Sequence, residues 1–376
     1  MDPDKIYRLF SPCIPVKGYH RSLIADLNRH QLFYIPNTLY GVLKYGHSHS
    51  WAELVNHYGK VNEIVLKEYY QYLMKHELIF PLTKDECRCF PHYPLHWDYP
   101  SCCSNAIMDI GSQAQYDINQ AIEKLAAINC HHIQIRFLSS CRSEDIVSAL
   151  DKVHSFSFYS VQLCLKYQPV IEDLANTLFD NYWKLAKVEV FEAPSDKIIP
   201  KMGLICLLNY YKDKKLDSNC CGCVSTQYFS IETNHFTESQ CHNTCLNRKL
   251  CIDAHGYVKN CPTMERHYGH IDEVSLKEVI QREDFQKLWF INKDRIDVCK
   301  DCEFRHICTD CRCFIKEPGN IFSQPAKCTY NPYICKWQGE EGYVPVEECG
   351  TYTREPGFVP DKKKIRALNK KIWHEE

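Results

Sequence analysis

Five cysteines stand within fifteen residues at Cys299-Lys-Asp-Cys302-Glu-Phe-Arg-His-Ile-Cys308-Thr-Asp-Cys311-Arg-Cys313. Two cysteines separated by two residues can turn both sulfurs toward one point, the geometry a metal ion or an iron–sulfur cluster needs from a short loop. Cys308 and Cys311 repeat that spacing. Cys245, Cys251 and Cys261 upstream and Cys328 and Cys335 downstream can supply further sulfurs. Ten of the 24 cysteines lie between positions 245 and 335, enough for two four-thiolate sites with two thiols over. Paired C-x2-C units also build structural zinc sites, but about forty residues separate Cys261 from Cys299, wider than a zinc ribbon's usual interval. Spacing alone leaves both metals open.

Thiolates gathered around a metal bring negative charge that hydrogen bonds and cations must offset. Arg305, His306 and Arg312 lie inside the run and can do this, or can be solvated charges. The neighbouring pairs Cys102-Cys103 and Cys220-Cys221 read as incidental thiols and receive no role. Cys130-His131-His132 reads as the approach to a core strand, and Gly222 between Cys221 and Cys223 as no binding loop.

A chain of 376 residues can bury large cores and should hold two or three domains. Lys plus Arg is 45 and Asp plus Glu 47, a formal charge of −2, which gives no global attraction to nucleic acid or to acidic membranes. No apolar run reaches the length of a membrane span, and the opening residues do not read as a signal peptide. The expectation is a soluble cytoplasmic protein with neither nucleic-acid nor membrane partners. In that reducing compartment, cysteine abundance points to metal ligation or buried thiols rather than disulfides.

The cysteine-rich stretch needs a scaffold, and the preceding sequence divides in two. Residues 6–11, 21–27 and 31–35 read as strands, followed by helices at 38–43, 51–58 and 63–76 capped by Asn37, Ser50 and Asn62, and by an extended segment at 78–82. Val65, Tyr69, Tyr72 and Leu73 form the expected buried stripe of the third helix. Three strands, three helices and a closing strand describe a winged-helix unit. The segment around Trp51 offers no arginine for DNA, whereas an exposed strand edge suits capture of an extended peptide.

From residue 105 strands and helices alternate: strands at 106–110, 132–138, 160–167 and 186–191, helices at 117–128, 143–154 and 171–182. Such succession implies right-handed βαβ units, a parallel sheet and an incomplete barrel with ligand sites at the strand carboxyl ends. The loops there, 111–116 and 139–142, contain no phosphate cradle, nucleophile elbow or carboxylate pair, so no catalytic residue is assigned.

Cys245-x10-Gly256-x4-Cys261, a long gap, then C-x2-C-x5-C-x2-C and a later cysteine resembles the SPASM domain, the auxiliary-cluster domain that follows the barrel in many radical-SAM peptide-modifying enzymes. Asn247-Arg-Lys-Leu-Cys-Ile-Asp253, Lys259-Asn-Cys-Pro262, Gly269-His-Ile271, Asn292-Lys-Asp294, Cys302-Glu-Phe-Arg305 and Asn331-Pro-Tyr333 extend the resemblance, which is strongest from about Cys220 to Trp337. These segments are similar to peptide maturases of the grasp-with-spasm type, which occur with an ATP-grasp ligase acting on a ribosomal precursor peptide.

The resemblance implies an α/β chain in four parts: a leader-binding winged helix over 1–92, a degenerate or partial radical-SAM-like β/α barrel over 93–235, a SPASM domain over 236–345 and a tail over 346–376. It implies two [4Fe–4S] clusters, with zinc as the alternative. Cys245, Cys251, Cys261 and Cys311 would hold the first, and Cys299, Cys302, Cys308 and Cys328 the second. SPASM domains commonly space the last two cysteines of the run by three residues, so Cys313 stands as an alternative to Cys311, and Cys335 to Cys328. The implied partners are a precursor's leader and an ATP-grasp ligase. The implied role is peptide maturation, as a redox enzyme or an accessory protein, with a non-enzymatic zinc-stabilised adaptor as the alternative. The sequence departs from the family at the catalytic cluster: C-x3-C-x2-C occurs nowhere in the chain, so the means to cleave SAM is not carried over. The tail reads as an amphipathic helix presenting Ile365, Leu368 and Ile372.

Overall fold

The computed structural model describes residues 1–376 except 113–114, 202–205, 218–220, 356 and 375–376. Cys220 and two positions of the 111–116 loop therefore lie outside the described residues. The chain opens with β1 (Ile6–Leu9), β2 (Cys13–Lys17), β3 (Arg21–Asp26) and β4 (Gln31–Pro36), then α1 (Asn37–Gly46), α2 (Trp51–Tyr58), α3 (Glu63–Lys75) and β5 (Ile79–Leu82). β2, β3 and β4 form an antiparallel sheet in that order, while β1 pairs with β5 from Ile6↔Leu82 to Leu9↔Ile79. β2 was not expected. Pro12 and Pro15 disguise it, and an edge strand tolerates proline because one side of its backbone needs no ladder partner.

Ser50 caps α2 as expected, and with Glu53 it forms a full capping box. The other two caps differ. Pro36 precedes α1, and the Asn37 amide instead donates to Tyr19 O at 2.9 Å, while Asn62 donates to Tyr58 O at 2.8 Å. The buried stripe of α3 is Leu66, Tyr70 and Leu73, at i, i+4 and i+7. Val65 is exposed, because the helix is turned one position from the expected face.

The middle of the chain is β6 (Asn105–Ile110), α4 (Ile118–Ala127), β7 (His132–Phe137), α5 (Ser143–His154), β8 (Ser160–Lys166), α6 (Pro169–Asn181), β9 (Leu185–Phe191), β10 (Lys197–Lys201) and β11 (Cys206–Tyr211). Then come α7 (Thr233–Cys241), β12 (Lys249–Ile252) and β13 (Val258–Lys259). The eight strands β10-β11-β9-β8-β7-β6-β12-β13 lie in that order, parallel except for the two edge strands β10 and β13. The described strands form an open sheet rather than a closed ring. β12 pairs in parallel with β6, so the sheet takes strands from both sides of position 235, and its core runs on through Leu246, Val258, Phe285 and Trp289.

The remaining elements are short: α8 (Leu276–Gln281), α9 (Glu283–Gln286), β14 (Tyr330–Asn331), β15 (Lys336–Trp337), β16 (Gly350–Tyr352), β17 (Phe358–Pro360) and α10 (Lys362–Trp373). A region with so little regular structure depends on other links for its shape. Asp361 caps α10, whose Ile365 packs with Val298, Tyr333, Ile334 and Phe358, and Trp373 Nε1 donates to Ile334 O at 3.1 Å. Val16, Leu23 and Leu27 of the N-terminal unit pack directly on Phe304, Ile307 and Tyr330. The Arg21 guanidinium meets the buried Glu303 carboxylate at 2.7 Å beside Cys302. Among the described residues no helix is long and apolar enough to cross a membrane.

Candidate metal centres

Cys299, Cys302, Cys308 and Cys328 line one small cavity, together with Lys293, Gln324 and Trp337. The chain enters it through Val298, a β-branched residue at φ 66° that turns the backbone sharply ahead of Cys299. A short helical turn over Cys299–Asp301 follows, and Cys302 N donates to Cys299 O at 2.9 Å. Donors already point at the sulfurs. Phe304 N–H lies 3.4 Å from Cys302 Sγ, Lys293 Nζ lies 3.0 Å from Cys308 Sγ, and Tyr330 N–H and the Gln324 side chain donate to Cys328. Hydrogen bonds aimed at sulfur stabilise thiolate over thiol, and without a metal burial works the other way. Burial pushes Cys299 up to about 12 and raises Cys302 and Cys328 as well. A thiophilic metal or cluster offsets that cost by binding the deprotonated sulfurs. The donor set fits such a group.

Cys335 lies elsewhere. Its thiol is directed at Pro332 O, and Glu303 and Tyr330 are its neighbours. It is not among the residues lining the cavity.

The other cysteines gather around a second point. Asn243 organises it: its side-chain oxygen accepts from Cys245 N and Leu246 N, both at 3.0 Å, and its amide donates to buried Asp310 at 2.5 Å. Asp310 in turn pairs with Arg312 at 2.8 Å, which fixes the approach to Cys311. Cys245 faces Cys261, Cys311 and Cys221. Cys221 and Cys313 are both hydrogen-bonding neighbours of Cys261. The Cys261 neighbour lowers Cys313 below the usual thiol range, and burial pushes Cys245 up to about 12. Cys251 lies in β12, where Asp109, Arg136, Cys261 and Asp253 are its neighbours. Among the described residues, no three His, Cys, Asp or Glu side chains converge closely enough to hold a single metal ion.

Of the cations inside the cysteine run, none contacts a sulfur in the hydrogen bonds described. Arg305 binds Asp294 at 2.7 Å, His306 meets Ser239 at 3.1 Å, and Arg312 donates to Ile321 O and Ser323 O. The cation at sulfur is Lys293. It appeared in the sequence only inside Asn292-Lys-Asp294, and nothing local marks it as buried.

The strand ends, uninformative in the sequence, carry a polar row across the sheet. Asp109, Arg136, Cys164, Glu189 and Asn209 occupy matching register positions on β6, β7, β8, β9 and β11. Arg136 grips Asp109 through two hydrogen bonds of 2.5 and 2.7 Å, both side chains buried, while Tyr211 OH donates to Glu189 at 3.1 Å. His131, beside Cys130, is an ordinary core residue, bonded to Tyr99 OH at 2.7 Å and stacked on Tyr159.

A comparison with curated proteins gives no match. Among solved structures, Streptococcus suis SuiB bound to S-adenosylmethionine is similar at 11% identity with a TM-score of 0.35, covering 87% of this chain and 99% of that one. SuiB bound to precursor peptide SuiA is similar at 10% identity with a TM-score of 0.33, covering 86% and 98%. Residues 241–303 match the family model SPASM, described as an iron–sulfur cluster-binding domain.

Proposed function

We propose that this chain is an iron–sulfur protein of peptide maturation that binds the leader of a ribosomal precursor peptide and works with an ATP-grasp ligase, as in the grasp-with-spasm type. The observation that carries the reading is the set of four cysteines, Cys299, Cys302, Cys308 and Cys328, around one cavity with donors aimed at their sulfurs. In this reading a [4Fe–4S] cluster occupies each of the two cysteine groups. When bound, such clusters supply structural cross-linking or one-electron transfer.

Residues 1–92 act as the leader-binding winged helix in this reading. A groove of about 540 Å³ lies along edge strand β2, lined by Phe10, Ile14, Tyr40, Leu43, Phe90 and Leu95. An unpaired edge beside apolar pockets suits capture of an extended peptide. Residues 93–235 supply a partial barrel, 236–345 the cluster domain and 346–376 the tail that closes it. Without C-x3-C-x2-C the chain has no thiolate triplet of the kind that binds SAM, so its part is recruitment and support by the clusters.

The test of recruitment is titration of the full-length chain with fluorescein-labelled leader peptides of ribosomal precursors. Binding in the micromolar range, weakened by Leu43→Asp, is expected. Absence of binding at that concentration removes the recruitment role.

A further inference from the structure

We infer that Cys221 supplies the fourth sulfur of the first cluster site, with Cys245, Cys261 and Cys311, and that Cys251 does not take part. The inference rests on the iron–sulfur reading above and changes its ligand set.

Four observations converge on Cys221. Cys261, Cys311 and Cys221 are all electrostatic neighbours of Cys245, and Cys251 is not among them. The Cys221 thiol lies 3.8 Å from Thr263 Oγ1, two residues beyond Cys261, and has Cys261 as a neighbour. The next residue, Gly222, has φ +83°, and a Cβ there would stand 3.2 Å from Cys311 Sγ. The loop therefore presses its backbone against that sulfur, an approach only glycine permits without strain. Finally, Lys327 Nζ donates to Cys221 O at 2.7 Å, tying the loop to the segment that carries Cys328.

Cys251 is held in the opposite sense. It sits in β12 with paired strands on either side, Ile107 across one ladder and Lys259 across the other. Its nearest charged neighbours are Asp109 and Arg136, the ion pair of the sheet itself. Cys313 also bonds Cys261, but it opens toward a surface hollow with Met264 and Phe314. It remains a spare thiol rather than a member of the four.

The experiment is anaerobic reconstitution of the full chain with iron and sulfide, reading iron, acid-labile sulfide and low-temperature EPR of the reduced protein. Wild type, Cys221→Ser, Cys251→Ser, Cys313→Ser and Cys299→Ser are compared. Cys221→Ser is expected to lose about half of the iron, the share of one of two equal clusters, while the EPR signal of the other survives and reports an intact fold. Cys251→Ser and Cys313→Ser keep the wild-type content. Full iron in Cys221→Ser, or loss of a cluster in Cys251→Ser or Cys313→Ser, overturns the inference. The Cys251 and Cys313 arms decide this even where Cys221→Ser folds poorly. A wild type that takes up no iron overturns the iron–sulfur reading itself, and iron unchanged in Cys299→Ser removes its second site; both differ from a failure confined to Cys221.

Discussion

Lys293 Nζ lies 3.0 Å from Cys308 Sγ, and the lysine is only 6% exposed. Burial alone pulls an ammonium toward its neutral form, but the surrounding Cys308, Cys299 and Asp310 hold Lys293 charged. A buried cation at a thiolate both orients the ligand and offsets its charge. Lys293→Met is therefore expected to weaken metal retention at that site by about 10- to 100-fold. It should also shift the reduction potential downward, because the extra electron loses its nearest positive charge. Chelator challenge and a redox titration read the two effects; unchanged values would remove Lys293 from the site.

Cys328 and Cys335 are both downstream candidates, but only Cys328 lines the cavity. Cys328→Ser should lose the iron of the second site. Cys335→Ser should keep it, because that thiol faces Pro332 O and the Glu303 region instead. Iron analysis of the two variants checks this, and the reverse pattern contradicts the placement.

Arg136 and Asp109 form a buried pair, with side-chain exposures of 3% and 2%. Arg136→Leu leaves a carboxylate without its cation and should cost about 3–5 kcal/mol of stability. Removing both charges with Asp109→Leu as well should restore much of it. Urea unfolding of the single and double variants measures the difference.

His47 stacks on His92 at 4.2 Å between the helices of the N-terminal unit and the 90–95 segment. Burial, with the Arg8 and His92 charges, lowers it from the usual 6.5 to about 4. The unfolded chain therefore takes up a proton at a higher pH than the folded chain. His47 contributes stability that is fully present above about 6.5 and is lost as pH falls toward 4. Between pH 7 and 5, His47→Gln should reduce the pH dependence of unfolding by on the order of 1 kcal/mol. Identical pH profiles would contradict it.

How much was legible in the sequence follows from range. Helix α2 and its capping box are written in Ser50 and Glu53, three residues apart, and the βα alternation from β6 to β9 follows local periodicity. The spacing of Cys299, Cys302 and Cys308 also marks a compact loop. β2 escaped because Pro12 and Pro15 mask an edge strand, and the α3 stripe was displaced because exposed Val65 resembles a core residue locally. Lys293, Cys221 and the Asp109–Arg136 pair gain meaning only through contacts between distant segments. The pairing of β12 with β6 is of the same kind, joining residues about 145 positions apart in a way no short window contains.

The central claim is that thiols late in the chain gather iron. Metal analysis of the chain purified without oxygen tests it most directly. The account predicts a brown protein with iron and acid-labile sulfide in equal amounts, bleached by Cys299→Ser at one site. Colourless protein carrying zinc and no sulfide would contradict it.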